Sequence, residues 1–144
     1  MDGREFLSLA DELAAGGTAA HRRSALSRAY YAAYHTAYEL LSALGIALPR
    51  DHRGHERVRQ CLQYSDDASL NQAGAVLRRL QTVRVKADYH LRDPHPEHPR
   101  TVELYLSQAR RCIALLDATP ADPAARAALA AAIRRALGEG GPGS

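Results

Sequence analysis

The sequence is poor in lysine, and its positive charge is carried almost entirely by arginine. Lys86 is the only lysine among the 19 basic residues, and the formal net charge is +3. This modest charge excludes a dedicated nucleic-acid coat protein, so any contact with nucleic acid is expected to be local. Arginine nevertheless suits phosphate recognition, because its planar guanidinium donates two parallel hydrogen bonds.

Cysteines and long apolar segments are also scarce. Cys61 and Cys112 are far apart and stand where apolar helix residues are expected, so we predict two buried, reduced thiols. No segment approaches the roughly 18 apolar residues of a membrane span. The N-terminus carries Asp2, Arg4 and Glu5 in place of a basic segment followed by an apolar one. These absences predict no membrane partner and a cytoplasmic location.

Strand patterning is absent as well, whereas apolar residues recur at helical spacing along the chain, which predicts an all-α fold. Residues 1–118 are expected to form an antiparallel four- to five-helix bundle, residues 119–137 an extra C-terminal helix, and residues 138–144 a flexible tail. Three prolines exclude a helix in the 92–99 segment. The predicted helices cover about residues 2–15, 18–44, 56–63, 65–89, 101–117 and 122–137.

One face of the second predicted helix carries a polar-aromatic stripe, defined by Arg28, Tyr31, His35 and Tyr38. The opposite face is apolar and belongs to the core, so the stripe must face water, a second subunit or a cleft. Aromatic residues interleaved with arginine and histidine are common at interfaces. We therefore predict a homodimer that uses Tyr31, His35 and Tyr38, with a solvated face as the alternative.

Arg84 projects from the apolar face of the fourth predicted helix and needs a partner there. Asp88, four residues later, can supply an intrahelical ion pair, which is a purely structural explanation. The functional interpretation places Arg84 at the rim of a cleft, with His90 just past the helix end. Histidine changes its charge near neutral pH, so it suits proton transfer.

The segments Ser27-Arg-Ala-Tyr-Tyr-Ala-Ala-Tyr-His35 and Arg84-Val-Lys-Ala-Asp-Tyr-His90 together resemble the HEPN superfamily over about residues 4–118. The resemblance implies a helical bundle, dimerisation and, in many members, an RNA-cleaving site with an arginine and a histidine separated by four to six residues. On this chain that motif is Arg84 and His90. Residues expected to support it or to bind RNA or a nucleotide are Asp88, Tyr89, Arg28, Tyr31 and His35.

Three other arginine–histidine pairs are compatible with such a spacing. Arg92 and His98 lie in the proline loop, and the Arg50 and His55 pair is expected in a linker. The serious competitor is the pair Arg28 and His35, although two helical turns separate them by about 10.5 Å.

The leading hypothesis is therefore a metal-independent RNA endonuclease without a cofactor, of the kind that serves as a toxin or as a component of a defence system. Its rival is a non-catalytic module that dimerises, binds a nucleotide or docks a nucleotidyltransferase antitoxin. Toxins paired with such partners carry tyrosine two residues after the histidine, where this chain has Arg92. The histidine pairs His52/His55 and His95/His98 are spaced to share a metal ion, but no nearby cysteine completes a set of four ligands.

Overall fold

The computed structural model describes residues 1–138, and this part of the chain contains α-helices, one short 3-10 turn at His95–Glu97 and no strand. The predicted all-α bundle with an additional C-terminal helix is confirmed. The part of the predicted flexible tail that follows Gly138 lies outside the described residues. The helices are α1 (Glu5–Ala14), α2 (Ala19–Ala43), α3 (Arg53–Gln63), α4 (Ala68–Tyr89), α5 (Pro99–Asp117) and α6 (Pro123–Ala136).

Three helices begin at a residue whose side chain accepts a hydrogen bond from the backbone amide three residues later. Thr18, Asp67 and Asp122 make these bonds at 3.1, 2.9 and 2.9 Å. Such caps satisfy amides that have no partner within the helix. Helix α4 therefore begins later than the predicted residue 65, because Asp67 caps it while the Ser65 hydroxyl is buried and donates to the carbonyl of Leu62.

Two helices begin earlier than the sequence predicted. Helix α3 begins at Arg53, which places His55 in a helix and corrects its assignment to a linker. Helix α5 begins at Pro99, because proline needs no amide partner at the first helical position. Gly17 and Gly45 follow α1 and α2 with φ values of 81° and 83°, a conformation that glycine adopts without steric cost.

Helix α2 is the centre of the bundle and packs against α1, α4 and α5. Its fully buried alanines Ala25, Ala29, Ala33 and Ala37 let these neighbours approach closely. On α1, Ala10 is buried in the core whereas Leu9 is exposed. Helix α3 packs mainly against α4, so the two helices form one side of the bundle.

The C-terminal helix is attached to the bundle at its apolar face. Ala130 and Ile133 of α6 are buried in the common core. The guanidinium of Arg134 donates to the carbonyl oxygen of Gly45 at 2.6 Å. Cys61 and Cys112 are buried and form no disulfide within residues 1–138, which confirms their prediction as buried, reduced residues. Within residues 1–138, no helix has the length and apolar character needed to cross a membrane.

Candidate functional site

Arg84 is a charged side chain that is almost entirely buried where α4 packs against α2. Its side chain is 11% exposed, and Nη1 lies 3.4 Å from Oδ2 of Asp88, so the predicted ion pair is present. The guanidinium carbon lies 5.4 and 5.6 Å from the ring centroids of Tyr30 and Tyr31, within the range of a cation–π interaction. The Nε atom has no hydrogen-bond partner in the described part of the chain. Arg84 is thus a fixed positive charge with one unsatisfied donor.

Asp88 joins the two sequence segments that suggested the site. Its Oδ2 atom accepts a hydrogen bond from the Ser27 hydroxyl of α2 at 3.2 Å, besides its ion pair with Arg84. The next residue, Tyr89, is 71% exposed, and its ring centroid lies 6.0 Å from the Arg84 guanidinium. Arg84 is therefore anchored on its buried side and reaches the surface beside Tyr89.

His55 of α3 meets the tyrosines of α2, which the sequence did not predict. Its Nδ1 atom is 2.6 Å from the Tyr30 hydroxyl, and its ring stacks on Tyr34 with centroids 4.5 Å apart. The close approach of α3 depends on Gly54, because a Cβ atom there would lie 2.5 Å from the Tyr34 hydroxyl and 2.7 Å from the carbonyl oxygen of Pro49.

Burial sets the protonation states of this group. Desolvation, followed by the charge of Arg84, lowers the pKa of His55 below its ordinary value. Desolvation also raises the pKa of the Tyr30 phenol well above its ordinary value, and Arg84 offsets only part of that rise. His55 is therefore neutral and Tyr30 protonated at neutral pH, because low polarity disfavours both charged forms.

The polar-aromatic stripe is half-buried within its own chain rather than fully exposed. Helix α1 covers part of it, because Phe6 lies 5.7 Å from the His35 ring and the Arg28 guanidinium stacks 4.9 Å from Phe6. The other side of the stripe opens into a cavity of about 380 Å³, lined in part by His35, Tyr38 and Arg50. Desolvation lowers the pKa of His35.

His90 directly follows the last residue of α4, as predicted. It lines a shallow groove together with Lys86, Arg59 and Arg78. Lys86 points about 160° away from Arg84 around the helix axis, because successive residues are rotated by about 100°. Within residues 1–138, no hydrogen bond joins His90 to Arg84.

Arg23 of α2 fixes the end of α4, and its role was also missed at the sequence level. The buried guanidinium donates at 3.1 and 2.7 Å to the Glu97 carboxylate and also donates to five backbone carbonyls. We call this set of hydrogen bonds the Arg23 clasp. The sequence does contain a signal for this role, because Arg23 lies three residues before Leu26 and seven before Tyr30 and so falls on the apolar face of α2. The carbonyl acceptors belong to Lys86, Ala87, His90, Leu91 and Asp93.

The histidine pairs considered as metal ligands do not form part of a larger set. His55 uses Nδ1 for Tyr30, while His52 is exposed. In the part of the chain that the structure describes, no group of three or more histidine, cysteine, aspartate or glutamate side chains is placed to hold a metal ion.

The surroundings of Arg84 combine a fixed cation, a neutral histidine, a protonated phenol and an exposed aromatic ring. No known protein family, characterised protein or solved structure matches the chain. The chemistry available is nevertheless specific. A fixed guanidinium stabilises developing negative charge, and a neutral imidazole accepts a proton.

Proposed function

We propose that the protein is a metal-independent RNA endonuclease of the HEPN type, in which Arg84 stabilises charge on the scissile phosphate and His90 transfers a proton. The observation that carries this proposal is the state of Arg84. Its guanidinium is held by Tyr30, Tyr31 and Asp88, and its Nε is buried without a partner among the described residues, so the charge is fixed in place but not fully compensated. A preorganised, incompletely satisfied cation is suited to a group that becomes more negative in the transition state.

The proposed reaction is a transesterification within the RNA strand. The ribose 2′-oxygen forms a bond to phosphorus and loses its proton to the histidine, while the bond from phosphorus to the 5′-oxygen breaks. The 5′-oxygen takes a proton from solvent, and the histidine returns its proton to solvent afterwards. The products are a 2′,3′-cyclic phosphate and a 5′-hydroxyl, and no oxidant or cofactor takes part. The imidazole supplies general-base catalysis, and the guanidinium supplies charge stabilisation.

His55 competes with His90 for the proton-transfer role. Both His55 and Arg84 contact Tyr30: the Arg84 guanidinium stacks on the ring, and His55 is hydrogen-bonded to the hydroxyl. Its lowered pKa leaves it neutral and able to accept a proton. His90 in turn is next to the exposed Tyr89 and has a side chain that lines a groove. We retain His90 because a substrate laid in that groove reaches it directly.

A homodimer through Tyr31, His35 and Tyr38 belongs to the same proposal. The support is the cavity at His35 and Tyr38, which leaves part of the stripe uncovered by its own chain. In such a dimer two sites would share one cleft. A nucleotidyltransferase antitoxin is the partner that the resemblance suggests for the same surface.

Cleavage of single-stranded RNA in EDTA tests the proposal. The wild type should cut, Arg84→Lys should be strongly impaired because a lysine lacks the planar fork, and His90→Ala should be inactive but folded. His35→Ala should lower activity mainly through the interface. An active His90→Ala beside an inactive, folded His55→Ala would move the proton transfer to α3. RNA that stays intact with the wild type, across many sequences, would leave the non-catalytic binding module as the function.

A further inference from the structure

A continuous basic groove runs between α3 and α4, away from the buried side of Arg84. It consists of two adjoining cavities of about 320 and 370 Å³ that share Arg59 and Arg78 in their walls. Among residues 1–138, no carboxylate lines either cavity. We call this the α3–α4 groove, defined by its cationic or titratable residues Arg59, Arg78, Arg79, Lys86 and His90.

Most of these cations are free to meet an external anion. Arg78 and Arg79 are exposed, and their side chains make no hydrogen bond or ion pair within residues 1–138. Arg59 is the exception, because it pairs with Glu56 of the same helix. An unpaired arginine at the surface keeps its full attraction for a phosphate group.

The length of the groove fits a strand rather than a single phosphate. Arg78 and Lys86 lie about 12 Å apart along the α4 axis, and the helix runs roughly 27 Å from Asn71 to Tyr89. Tyr89 is within about 20° of Arg78 around the axis, so it continues the face that carries the groove. Its exposed ring also lies beside Arg84, so the groove leads towards the candidate site.

We propose that the α3–α4 groove binds the phosphodiester backbone of an RNA strand and that Tyr89 stacks on a base beside Arg84. The identity of the strand as RNA rests on the proposed function, whereas backbone binding rests on the groove itself. An acidic polypeptide is the competing polyanion. The exposed Tyr89, next in sequence to the groove residue His90, favours nucleic acid, because bases stack on aromatic side chains.

Binding of a short, fluorescently labelled 2′-O-methyl RNA tests the inference, because this RNA has no 2′-hydroxyl to attack the phosphate. The test variant is Arg78→Glu with Arg79→Glu, and the matched control is Arg100→Glu with Arg135→Glu. The control arginines are also exposed and make no side-chain hydrogen bond to any other residue of the 1–138 range, and their replacement changes the net charge by the same amount. Fluorescence anisotropy should be recorded over a series of salt concentrations, with DNA of the same sequence and a polyglutamate peptide as further ligands.

The groove variant should bind the RNA and the DNA at least about tenfold more weakly than the control. The slope of log K against the logarithm of the salt concentration should be less steep by about 1.4, because each of two lost phosphate contacts contributes about 0.7. Tyr89→Ala should weaken both further, while Tyr89→Phe should not. Equal affinities of the groove and control variants, or tighter binding of polyglutamate than of either strand, would overturn the inference. Circular dichroism should show that both double variants fold, and Arg78→Gln with Arg79→Gln replaces the groove variant if it does not.

Cleavage of unmodified RNA in EDTA separates this inference from the proposed function. If the wild type binds RNA through the groove but does not cut it, the proposal of backbone binding is supported and the proposal of an endonuclease is refuted. If the wild type cuts and the groove variant binds and cuts equally well, the endonuclease stands and the groove falls.

Discussion

Replacing Arg23 by alanine should strongly destabilise the fold. The change removes seven hydrogen bonds, five to backbone carbonyls at the end of α4 and in the following loop and two to Glu97. The Arg23 side chain is only 10% exposed, so the Glu97 carboxylate would lose its ion-pair partner at a site with limited access to water. Breaking a buried ion pair from one side costs about 3 to 5 kcal/mol, and we expect about 3 because Glu97 can partly reach water.

Urea denaturation followed by circular dichroism measures this loss. Glu97→Gln should cost less, about 1 kcal/mol, because the amide oxygen still accepts a hydrogen bond while the charge is gone. Arg22→Ala is the matched control, since the neighbouring arginine makes no side-chain hydrogen bond in the described structure and should change stability by less than about 0.5 kcal/mol. A loss below about 1 kcal/mol for Arg23→Ala would show that the Arg23 clasp does not fix the end of α4.

Four further outcomes are expected. Arg84→Ala should lower the free energy of unfolding by about 1 to 3 kcal/mol in urea titrations, and an unchanged value would mean that this arginine is solvated. Stability should fall from about pH 7.5 to about pH 5.5, because the lowered pKa of His55 makes the unfolded chain bind more protons in this window, and His55→Phe should flatten the profile. Gly54→Ala should cost about 1 to 3 kcal/mol, because its Cβ would overlap Tyr34 and Pro49. The wild type should sediment as a dimer and Tyr31→Asp as a monomer; a wild-type monomer would refute the interface.

Several helix ends could be predicted because they carry a strong local signal. Thr18 and Asp122 are capping residues, and Gly17 and Gly45 can adopt the positive φ that ends α1 and α2. The ion pair of Arg84 with Asp88 was predictable for the same reason, because residues four apart share a helix face. Local spacing therefore specifies most element boundaries and the half of the site that lies on α4.

The remaining half of the site depends on contacts between distant segments. The bond between His55 and Tyr30 joins α3 to α2 across 25 positions, and the Arg23 clasp reaches Glu97 across 74. No periodicity within either segment specifies such a partner. The sequence still indicates that Arg23 has a buried partner, since a charged residue on an apolar helix face needs one. It gives no such indication for His55, because α3 was predicted to begin after this residue.

The tyrosines of α2 also give the protein a built-in optical reporter. The chain contains no tryptophan and seven tyrosines, and Tyr30, Tyr31, Tyr34 and Tyr38 lie together on one helix. Neighbouring rings in this group have centroids 5.1 to 6.4 Å apart, close enough for their electronic transitions to couple. We therefore expect this group of tyrosines, which includes the rings beside Arg84 and His55, to dominate the near-ultraviolet circular dichroism. A ligand that disturbs this region should alter that spectrum without any added label, while one bound at α6 should not.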